Sequence, residues 1–269
     1  MVEAVESISL LSQRVLEPKR IAVAGIGMVG GALVKTLKSP ILYDPPKGIG
    51  SKEELNEAEI VFVCVPTPYE NGFSLKAVIA VLDILEGSKV VVIKSTVLPG
   101  TTDHLQHEYP QHKFLFNPEF LTEATADQDM RYPDRQIVGY TDKSYTIAGD
   151  IMAMLPLAPF ERIMPAKEAE LVKYANNTWF ATKVVWANQL YDLCEKTGID
   201  YESVKEAMVQ DKRIGRSHLE IWHKGYRGYG GKCLPKDLSS LVDYAGKNGV
   251  DMALLKKVRE LNDHYGKSL

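Results

Sequence analysis

The sequence predicts an α/β protein, with a Rossmann-like parallel sheet domain followed by an all-helical domain that contains a long central helix. From Arg20 onward, short apolar runs rich in β-branched residues alternate with helical stretches, which is typical of parallel strands joined by crossover helices. After Pro165 the β-branched runs stop, and one helical pattern continues to Gly198. We therefore expect an N-terminal extension (1–19), a sheet domain (20–160) and a helical domain (161–269).

The strands and helices of the sheet domain can be assigned in chain order. Four apolar runs are predicted strands: RIAVAGI, PILYD, EIVFVCV and KVVVIKS. KFLF at 113–116 and RQIVG at 135–139 are candidates for two more. Helical spacing in GGALVKTLK and SLKAVIAVLDILEG predicts helices between strands, and DKSYTIAGDIMAML is expected to close the domain as a helix.

The long helix of the second domain carries an apolar stripe, made of Leu171, Ala175, Trp179, Val185, Trp186, Leu190 and Leu193. A helix of some thirty residues is roughly 45 Å long, too long for a domain of this size to cover. We therefore expect a homodimer through this helix, which ends at the C-cap Gly198. Three shorter helices are predicted in YESVKEAMVQD, LSSLVDYAGKN and MALLKKVRELNDHYGK.

The composition argues against several classes of partner. A formal charge of -3 without Lys/Arg clusters predicts no binding to nucleic acid or to a membrane surface. No run of about eighteen apolar residues could span a bilayer. Glu3 and Glu6 stand where a secretory signal has basic residues, so we expect a cytoplasmic protein. The N-terminal extension could be one face of a helix or a frayed tail.

The cysteines and histidines predict neither disulfides nor a metal site. Cys64, Cys194 and Cys233 are scattered and odd in number, which indicates free thiols. We expect Cys64, inside a strand, and Cys194, inside the long helix, to be buried structural thiols. His104, His107 and His112 match no zinc pattern, so a solvated face is expected there.

A glycine-rich turn follows the first strand. Gly25, Gly27 and Gly30 form G-x-G-x-x-G, with Met28 and Val29 between the last two glycines, directly before a helix. Such a turn lets the backbone approach a pyrophosphate at the helix N-terminus. Asp44, nineteen residues after Gly25, can bind the adenosine ribose, and its charge would repel a 2'-phosphate. The pattern predicts NAD; the alternative is a glycine turn without a ligand.

Two polar stretches end strands on the edge where such sheets bind ligands. Thr67 lies in VPTP, and Ser95 and Thr96 lie in KSTVLPGTT. Ordinary turn chemistry is the alternative for both. In NPEFLTEA, Glu119 and Glu123 would share one face if the segment is helical, and could then act as acid and base. A solvated pair is the alternative.

Two further groups could support catalysis. Lys173 and Asn177 stand one turn apart on the long helix, where both could donate hydrogen bonds to an oxyanion, unless the lysine merely extends to solvent. In GYGGKCLPKD, Pro235 favours a helix start, so Cys233 would precede a helix N-terminus near Lys232 and Lys236. We expect this position to lower the thiol pKa and to make Cys233 a nucleophile.

Several motifs together resemble the UDP-glucose/GDP-mannose dehydrogenase family. GIGMVG, VPTP, KSTVLPGTT, NPEFLTEA with YPDRQIVG, ELVKYANNTW, DKRIG and GYGGKCLPKD occur in the family's order and approximate spacing, between residues 20 and 269. The resemblance implies oxidation of the C6 alcohol of a nucleotide sugar, with UDP-glucose expected, to a carboxylate. It implies two NAD molecules per sugar, and a cysteine that holds the sugar as thiohemiacetal and then thioester.

The resemblance also implies roles for single residues. Cys233 would be the nucleophile, and Lys173 and Asn177 would hold the oxyanion. Asp237 and Thr96 would position water or accept a proton. Glu119 or Glu123 would serve the acid–base steps. Contacts to NAD are implied for Gly25, Gly27, Met28, Val29, Gly30, Asp44, Lys47, Thr67, Thr96 and Glu123. Substrate contacts are implied for Glu119, Phe120, Leu121, Lys173, Asn177, Tyr226 and Gly230, the last two with the loop that begins at Trp222.

The sequence departs from the family in its length. Members usually carry a further nucleotide-binding domain after the long helix, and this sequence stops at Leu269, about where that domain should begin. A separate nucleotide-binding subunit is therefore a possible partner. Two other functions stay open: a single-step dehydrogenase of small hydroxy acids, and a non-catalytic or split NAD-binding protein.

Overall fold

The computed structural model describes residues 20–70 and 72–266. The N-terminal extension, for which a helix face and a frayed tail were both open, lies outside the described residues. Within the described range, no helix combines the length and the apolar character needed to cross a membrane.

In the described residues, seven strands form the main sheet: β1 (Ile21–Ala24), β2 (Ile41–Tyr43), β3 (Ile60–Val63), β4 (Val90–Ile93), β5 (Lys113–Phe116), β6 (Arg135–Tyr140) and β7 (Phe160–Pro165). Their order is β2-β1-β3-β4-β5-β6-β7. Neighbours run parallel except β5 and β6, which are antiparallel. The predicted Rossmann-like architecture and its six predicted strands are confirmed.

The seventh strand was not predicted. β7 pairs in parallel with β6 along its whole length, and the expected end of the sheet domain near residue 160 falls at its first residue. Five of the six residues of FERIMP are exposed, because β7 lies at the edge of the sheet. Because the side chains of this edge strand face solvent, they do not have to be apolar. The sequence of β7 therefore lacks the apolar run that identifies the buried strands.

The helices surround the sheet and then form the second domain: α1 (Met28–Val34), α2 (Lys52–Asn56), α3 (Lys76–Leu82), α4 (Thr101–Glu108), α5 (Ala126–Arg131), α6 (Ala148–Met154), α7 (Ala166–Thr197), α8 (Tyr201–Met208), α9 (Leu234–Lys247) and α10 (Ala253–Gly266). One core cluster joins the sheet to α2, α3, α4 and the start of α7. The other core cluster joins the strand side chains on the opposite face of the sheet to α1, α5 and α6. The sheet is thus covered on both faces, as parallel strands require.

Helix α7 is the long helix that the sequence predicted. Its 32 residues end at Gly198, which has the left-handed φ of +71° expected of a C-cap glycine. Buried residues such as Tyr174, Ala181 and Val185 pack in a cluster with α9 and α10. Most of the predicted stripe lies on the opposite side, where Trp179 and Trp186 are 59% and 47% exposed.

A small hairpin interrupts the helical domain. Strands β8 (Trp222–His223) and β9 (Tyr226–Arg227) pair antiparallel between α8 and α9. Arg227 anchors the hairpin to α7, because its guanidinium donates to Asn188 and to Asp192, the latter at 2.6 Å. This placement brings the hairpin and the following glycine cluster to the start of α9.

Gly139 sets how closely α7 approaches the sheet. An ideal Cβ at this β6 position would lie 2.8 Å from Ala166 Cα and 2.9 Å from Ala169 Cβ. We expect Gly139→Ala to lower the free energy of unfolding by about 1–3 kcal/mol, since the backbone of α7 would have to move. Denaturant unfolding measures the change.

Gly149→Ala on α6 is the matched control, because a Cβ there would meet open space. It should raise the free energy of unfolding by up to about 1 kcal/mol through helix propensity. A Gly139→Ala protein as stable as the wild type would show that α7 is not held at this distance.

Candidate active site

The carboxyl ends of four parallel strands meet at one edge of the sheet. The register pairs Ala24 with Val63, Val63 with Ile93, and Ile93 with Phe116. These four strand ends lead into GIGMVG, VPTP, KSTVLPG and NPEF. Four loops that are far apart in sequence therefore converge where open α/β sheets bind ligands.

The glycine loop is shaped by two close backbone approaches. An ideal Cβ at Gly30 would lie 1.9 Å from the Gly25 carbonyl oxygen, and one at Gly25, whose φ is +91°, would lie 2.7 Å from the Cys64 carbonyl oxygen. Gly27 instead faces open space and is the N-cap of α1. A glycine N-cap offers no side-chain oxygen, so the first amides of α1 remain available to a ligand.

A cleft of 490 Å³ opens in front of this loop. Gly27, Met28 and Lys35 line one wall, and residues 123–128 line the other. Lys35 forms an ion pair with Asp127 across the cleft. The space lies at the N-terminus of α1, where a pyrophosphate would be stabilised by the helix amides.

Asp44 closes the adenosine side of the predicted NAD site. Its Oδ2 accepts the Ile26 amide at 2.8 Å, which leaves Oδ1 for ribose hydroxyls. Lys47 lies beside it, with Nζ 3.8 Å from the same Oδ2, and donates to the Ile26 carbonyl. The tight glycine turn, the uncapped helix and this carboxylate fit NAD.

Hydrogen bonds join the loops after β3 and β4. Thr67 Oγ1 donates to the Thr96 carbonyl at 2.7 Å, and Ser95 Oγ donates to the Val65 carbonyl at 2.7 Å. Thr67 and Ser95 are buried, whereas Thr96 is half-buried. The first two side chains therefore hold the loops in place, and Thr96 keeps its side chain closer to solvent.

Glu119 and Lys173 form a buried ion pair between the two domains. Lys173 Nζ lies 2.8 Å from Glu119 Oε1 and 2.8 Å from the Glu119 carbonyl oxygen, and the Leu121 amide donates to Oε2. Burial disfavours the charged carboxylate, but Lys173 and the amide outweigh it and hold the pKa of Glu119 below its ordinary value.

Lys94 is a buried site residue that the sequence analysis did not single out. It is 3% exposed, and its Nζ donates to Asn117 Oδ1 at 2.6 Å. Burial lowers its pKa, while Cys64 and Glu119 act in the opposite direction. A lysine directly after an apolar strand, on the ligand edge, was the available signal. Asn117 in turn donates to the Ile137 carbonyl, which fixes the start of NPEF.

The two glutamates of NPEFLTEA do not share a face. Residues 117–122 are not helical, so the condition for a one-turn spacing is not met. Glu119 is buried against Lys173, whereas Glu123 is exposed and pairs with Lys224 of the β8–β9 turn at 3.0 Å. The Lys224 contact lowers the pKa of Glu123. Glu123 lines the cleft in front of the glycine loop.

Asn177 and Asp237 meet across the helical domain. Asn177 Nδ2 donates to Asp237 Oδ2 at 2.5 Å, and Lys236 Nζ contacts Oδ1 of the same carboxylate. Asp237 is buried in the first turn of α9, and its amide donates to the Cys233 carbonyl at 2.9 Å. The predicted oxyanion residue Asn177 is therefore tied to the turn that carries the cysteine.

Cys233 is exposed and is the N-cap of α9, with Pro235 in the first turn, as the sequence predicted. The expected direction of its pKa was wrong. Burial of the thiol raises the pKa, Asp237 adds to this, and Lys173 lowers it, with Glu119 and Lys236 as weaker influences. Although the residue reaches solvent, its sulfur lies close enough to Asp237 and Lys173 for both charges to act on it.

The predicted substrate residues fall into two places. The Arg135 guanidinium lies over the Phe120 ring, with its carbon 3.9 Å from the ring centroid. The Leu121 amide donates to the Glu119 carboxylate. Tyr226 packs on Gly230, where an ideal Cβ would lie 2.7 Å from the tyrosine hydroxyl. Gly230 therefore leaves room for the Tyr226 ring beside the cysteine loop.

Three minor expectations can be compared with the structure. His112 is buried, not solvated, and accepts the Lys89 amide through Nδ1, whereas His104 and His107 are exposed. Cys194 is buried as predicted, and Cys64 is half-buried next to the glycine loop. Burial raises the pKa of the Cys64 thiol to about 12. Across the described part of the chain, no group of three His, Cys, Asp or Glu side chains could hold a metal ion.

Comparison with known proteins identifies the family. Residues 49–155 match the NAD binding domain of the UDP-glucose/GDP-mannose dehydrogenase family, and residues 167–264 match its central domain. The chain belongs to this family. The match confirms the predicted cofactor, NAD, although it begins after the glycine loop and Asp44, whose fit rests on the geometry above.

The relatives share about half of their length with this chain. UDP-glucose 6-dehydrogenase of Pseudomonas aeruginosa is 38% identical over 232 residues, which cover 78% of this chain and 49% of that protein. UDP-glucose 6-dehydrogenase YwqF of Bacillus subtilis is 34% identical over 224 residues, covering 78% and 50%.

Solved structures show the same architecture. The UDP-glucose dehydrogenase of Pyrobaculum islandicum has a TM-score of 0.80 at 28% identity and covers 93% of this chain and 69% of its own. The 3-hydroxyisobutyrate dehydrogenase of Mycobacterium tuberculosis has a TM-score of 0.71 at 16% identity, covering 93% and 94%. The second likeness shows the fold alone.

The buried ion pair makes a testable statement about stability. Lys173→Met leaves a buried carboxylate without its cation, which should lower the free energy of unfolding by about 3–5 kcal/mol at pH 7. The pKa of Glu119 is lowered in the fold, so the pair stabilises above the ordinary carboxyl pKa and this stability is lost as pH falls through the folded value. The gap between variant and wild type should therefore narrow below about pH 4.

Lys224→Met is the control, since it removes a cation from the exposed Glu123. It should leave the unfolding midpoint unchanged at both pH values. Equal effects of the two substitutions in urea unfolding would contradict the buried pair.

Proposed function

We propose that this chain oxidises the C6 alcohol of a nucleotide sugar, with UDP-glucose as substrate, to the uronic acid through a covalent intermediate on Cys233. The observation that carries the proposal is the position of Cys233 at the N-terminus of α9, where the residue reaches solvent and Asp237, Lys173 and Glu119 are close enough to influence the thiol pKa. Family membership supports the dehydrogenase class, and the cysteine chemistry and the sugar are inferred from this site.

Lys173 and Asn177 each retain one donor for an oxyanion. A lysine ammonium has three N–H groups, and Lys173 uses two of them on Glu119. The Asn177 amide has two, and one binds Asp237. The Glu119 and Asp237 bonds fix both side chains, so the remaining N–H groups are pre-oriented for charge on an oxygen at C6.

The reaction then balances in four steps. NAD, when bound, supplies the hydride acceptor. Loss of a hydride from C6 and a proton from its hydroxyl gives an aldehyde. The Cys233 thiol adds across this carbonyl, so that a C–S bond forms and the thiol proton ends on oxygen, giving a thiohemiacetal. A second loss of hydride from C6 and proton from oxygen gives a thioester, which water cleaves to a carboxylate, the free thiol and a proton that is released to solvent.

The raised pKa of Cys233 means that the thiol has to lose its proton as the sulfur attacks the carbonyl carbon. In the proposed addition this proton passes to the carbonyl oxygen, which Lys173 and Asn177 bind. Hydrolysis needs a base near the thioester. Glu119 suits this role because it lies beside Lys173, with Asp237 and Thr96 as further candidates for holding the water.

Two other functions were open at the outset. The 3-hydroxyisobutyrate dehydrogenase likeness, at 16% identity, matches the single-step hydroxy-acid alternative only in fold. That reaction uses no cysteine, so an unaffected Cys233→Ala variant would favour it. The other alternative is a non-catalytic chain, or one half of an enzyme whose nucleotide-binding part is a separate subunit. Calorimetry that detects NAD binding without UDP-glucose binding would favour this alternative.

The stoichiometry tests the covalent route. The protein is mixed with NAD and a panel of UDP- and GDP-sugars, and NADH formation is measured by its absorbance. We expect two NADH per sugar oxidised. Cys233→Ala should lower kcat/KM at least about a thousandfold. Glu119→Gln should slow thioester hydrolysis and accumulate a sugar–protein adduct, visible in intact mass spectra.

Glu123→Gln is the matched control for the adduct, because Glu123 is exposed and pairs with Lys224. It should accumulate no adduct. One NADH per sugar, or an adduct that forms equally in Cys233→Ala, would contradict the proposal.

We also propose that the chain forms a homodimer through α7. Its outer side exposes Leu171, Trp179, Trp186 and Leu193, a line of large apolar side chains that a second α7 would cover. Trp179→Glu with Trp186→Glu should convert a dimer to monomer in sedimentation velocity. Glu195→Lys changes the charge at an exposed position about half a turn away from this line on the same helix, and should leave the dimer intact. A wild-type monomer at micromolar concentration would contradict the proposal.

A further inference from the structure

The loop that carries Thr96 leads from β4 into α4 and is bound by one carboxylate from the other domain. Glu170 of α7 is fully buried, at 0% exposure. Its Oε2 accepts the Gly100 amide at 2.5 Å, and its Oε1 accepts the Thr102 amide at 2.8 Å and the Thr102 hydroxyl at 2.6 Å. Sequence analysis gave Glu170 no role.

Helix α4 needs this carboxylate. Its N-cap is Gly100, which has no side-chain oxygen to accept a backbone amide. The Thr101 amide donates to the nearby Leu98 carbonyl, whereas the Gly100 and Thr102 amides donate to Glu170. Glu170 supplies that acceptor from 68 to 70 residues away, and a negative charge at a helix N-terminus is favourable. Burial raises the pKa of Glu170 to about 7, while the hydrogen bonds from Thr102 and Gly100 act in the opposite direction.

A second contact binds the same loop to the same helix. Leu98 packs against the core cluster of the helical domain, which includes Tyr174 and Leu238. Glu170, Lys173 and Asn177 follow one another at spacings of three and four residues, so they share one face of α7. The loop is thus held by the face that also carries the two proposed oxyanion donors.

We infer that Glu170 is a positioning residue, which fixes the Thr96 loop on α7 at a set distance from Lys173 and Asn177. The role rests on the proposed function, because it concerns the arrangement of groups around the sugar carbon. A purely structural cap would stabilise α4 without affecting turnover. A positioning residue changes kcat while the glycine loop, which lies elsewhere, still binds NAD.

Four variants separate these roles. Glu170→Gln places an amide N–H group against at least one of the three donors that Glu170 binds, which are the Gly100 amide and the Thr102 amide and hydroxyl. Glu168→Gln removes the same charge at an exposed position of the same helix and is the control. Thr102→Val removes the hydroxyl alone, and Thr102→Ser restores it. The readouts are hydrogen exchange of residues 95–104, the KM for NAD, and kcat for UDP-glucose.

In the Glu170→Gln variant we expect the backbone amides of residues 95–104 to exchange hydrogen at least about tenfold faster than in the wild type, and those of α3 no faster. Its kcat should fall about 10- to 100-fold with KM for NAD within about twofold. Thr102→Val should show the same pattern more weakly, with Thr102→Ser and Glu168→Gln close to wild type. Unchanged exchange, or faster exchange with unchanged kcat, overturns the inference.

A wild-type chain that oxidises no sugar contradicts the proposed function alone. NAD binding by calorimetry then replaces KM, and exchange in the loop tests whether Glu170 fixes the loop on α7. Faster exchange in both Glu170→Gln and Thr102→Val with unchanged NAD binding supports this fixing, and unchanged exchange overturns the inference. Circular dichroism identifies a variant that fails to fold, in which case the milder Thr102→Val and Thr102→Ser pair decides.

Discussion

The buried ion pair between Lys173 and Glu119 is the constraint on which the rest of the site depends. It links the strand-end loop after β5 to α7, and removing either partner would leave an unpaired buried charge, which is costly. The pair also uses up two of the three lysine donors and orients the third. The geometry of the pair therefore sets how this loop meets α7 and limits the direction of the remaining N–H group.

Helix α7 acts as the common scaffold for loops from both domains. At successive turns of its inner face, Glu170 binds the start of α4, Lys173 binds Glu119, and Asn177 binds Asp237. A single rigid helix can hold these groups in fixed relation, which separate loops could not do.

The cysteine shows two opposing effects on one thiol. A helix N-terminus favours the thiolate by typically 0.3–1 kcal/mol, less than about one pKa unit. Desolvation can shift a pKa by several units, and the nearby Asp237 adds to it, so the thiol pKa rises. Burial and the Asp237 charge therefore outweigh the helix N-terminus at this thiol.

Local pattern alone determined much of this protein. Six strands, the glycine turn, Asp44 at the end of the second strand, the 32-residue helix and the cysteine before a helix were all read from periodicity and turn chemistry, which act over a few residues. Tertiary structure decided the rest. The edge strand β7 has no buried face to mark it, and Glu119 and Glu123 separate because their segment is not helical. Lys94 and Glu170 bind partners tens of residues away. The direction of the Cys233 pKa depends chiefly on burial, which exists only once the chain has packed.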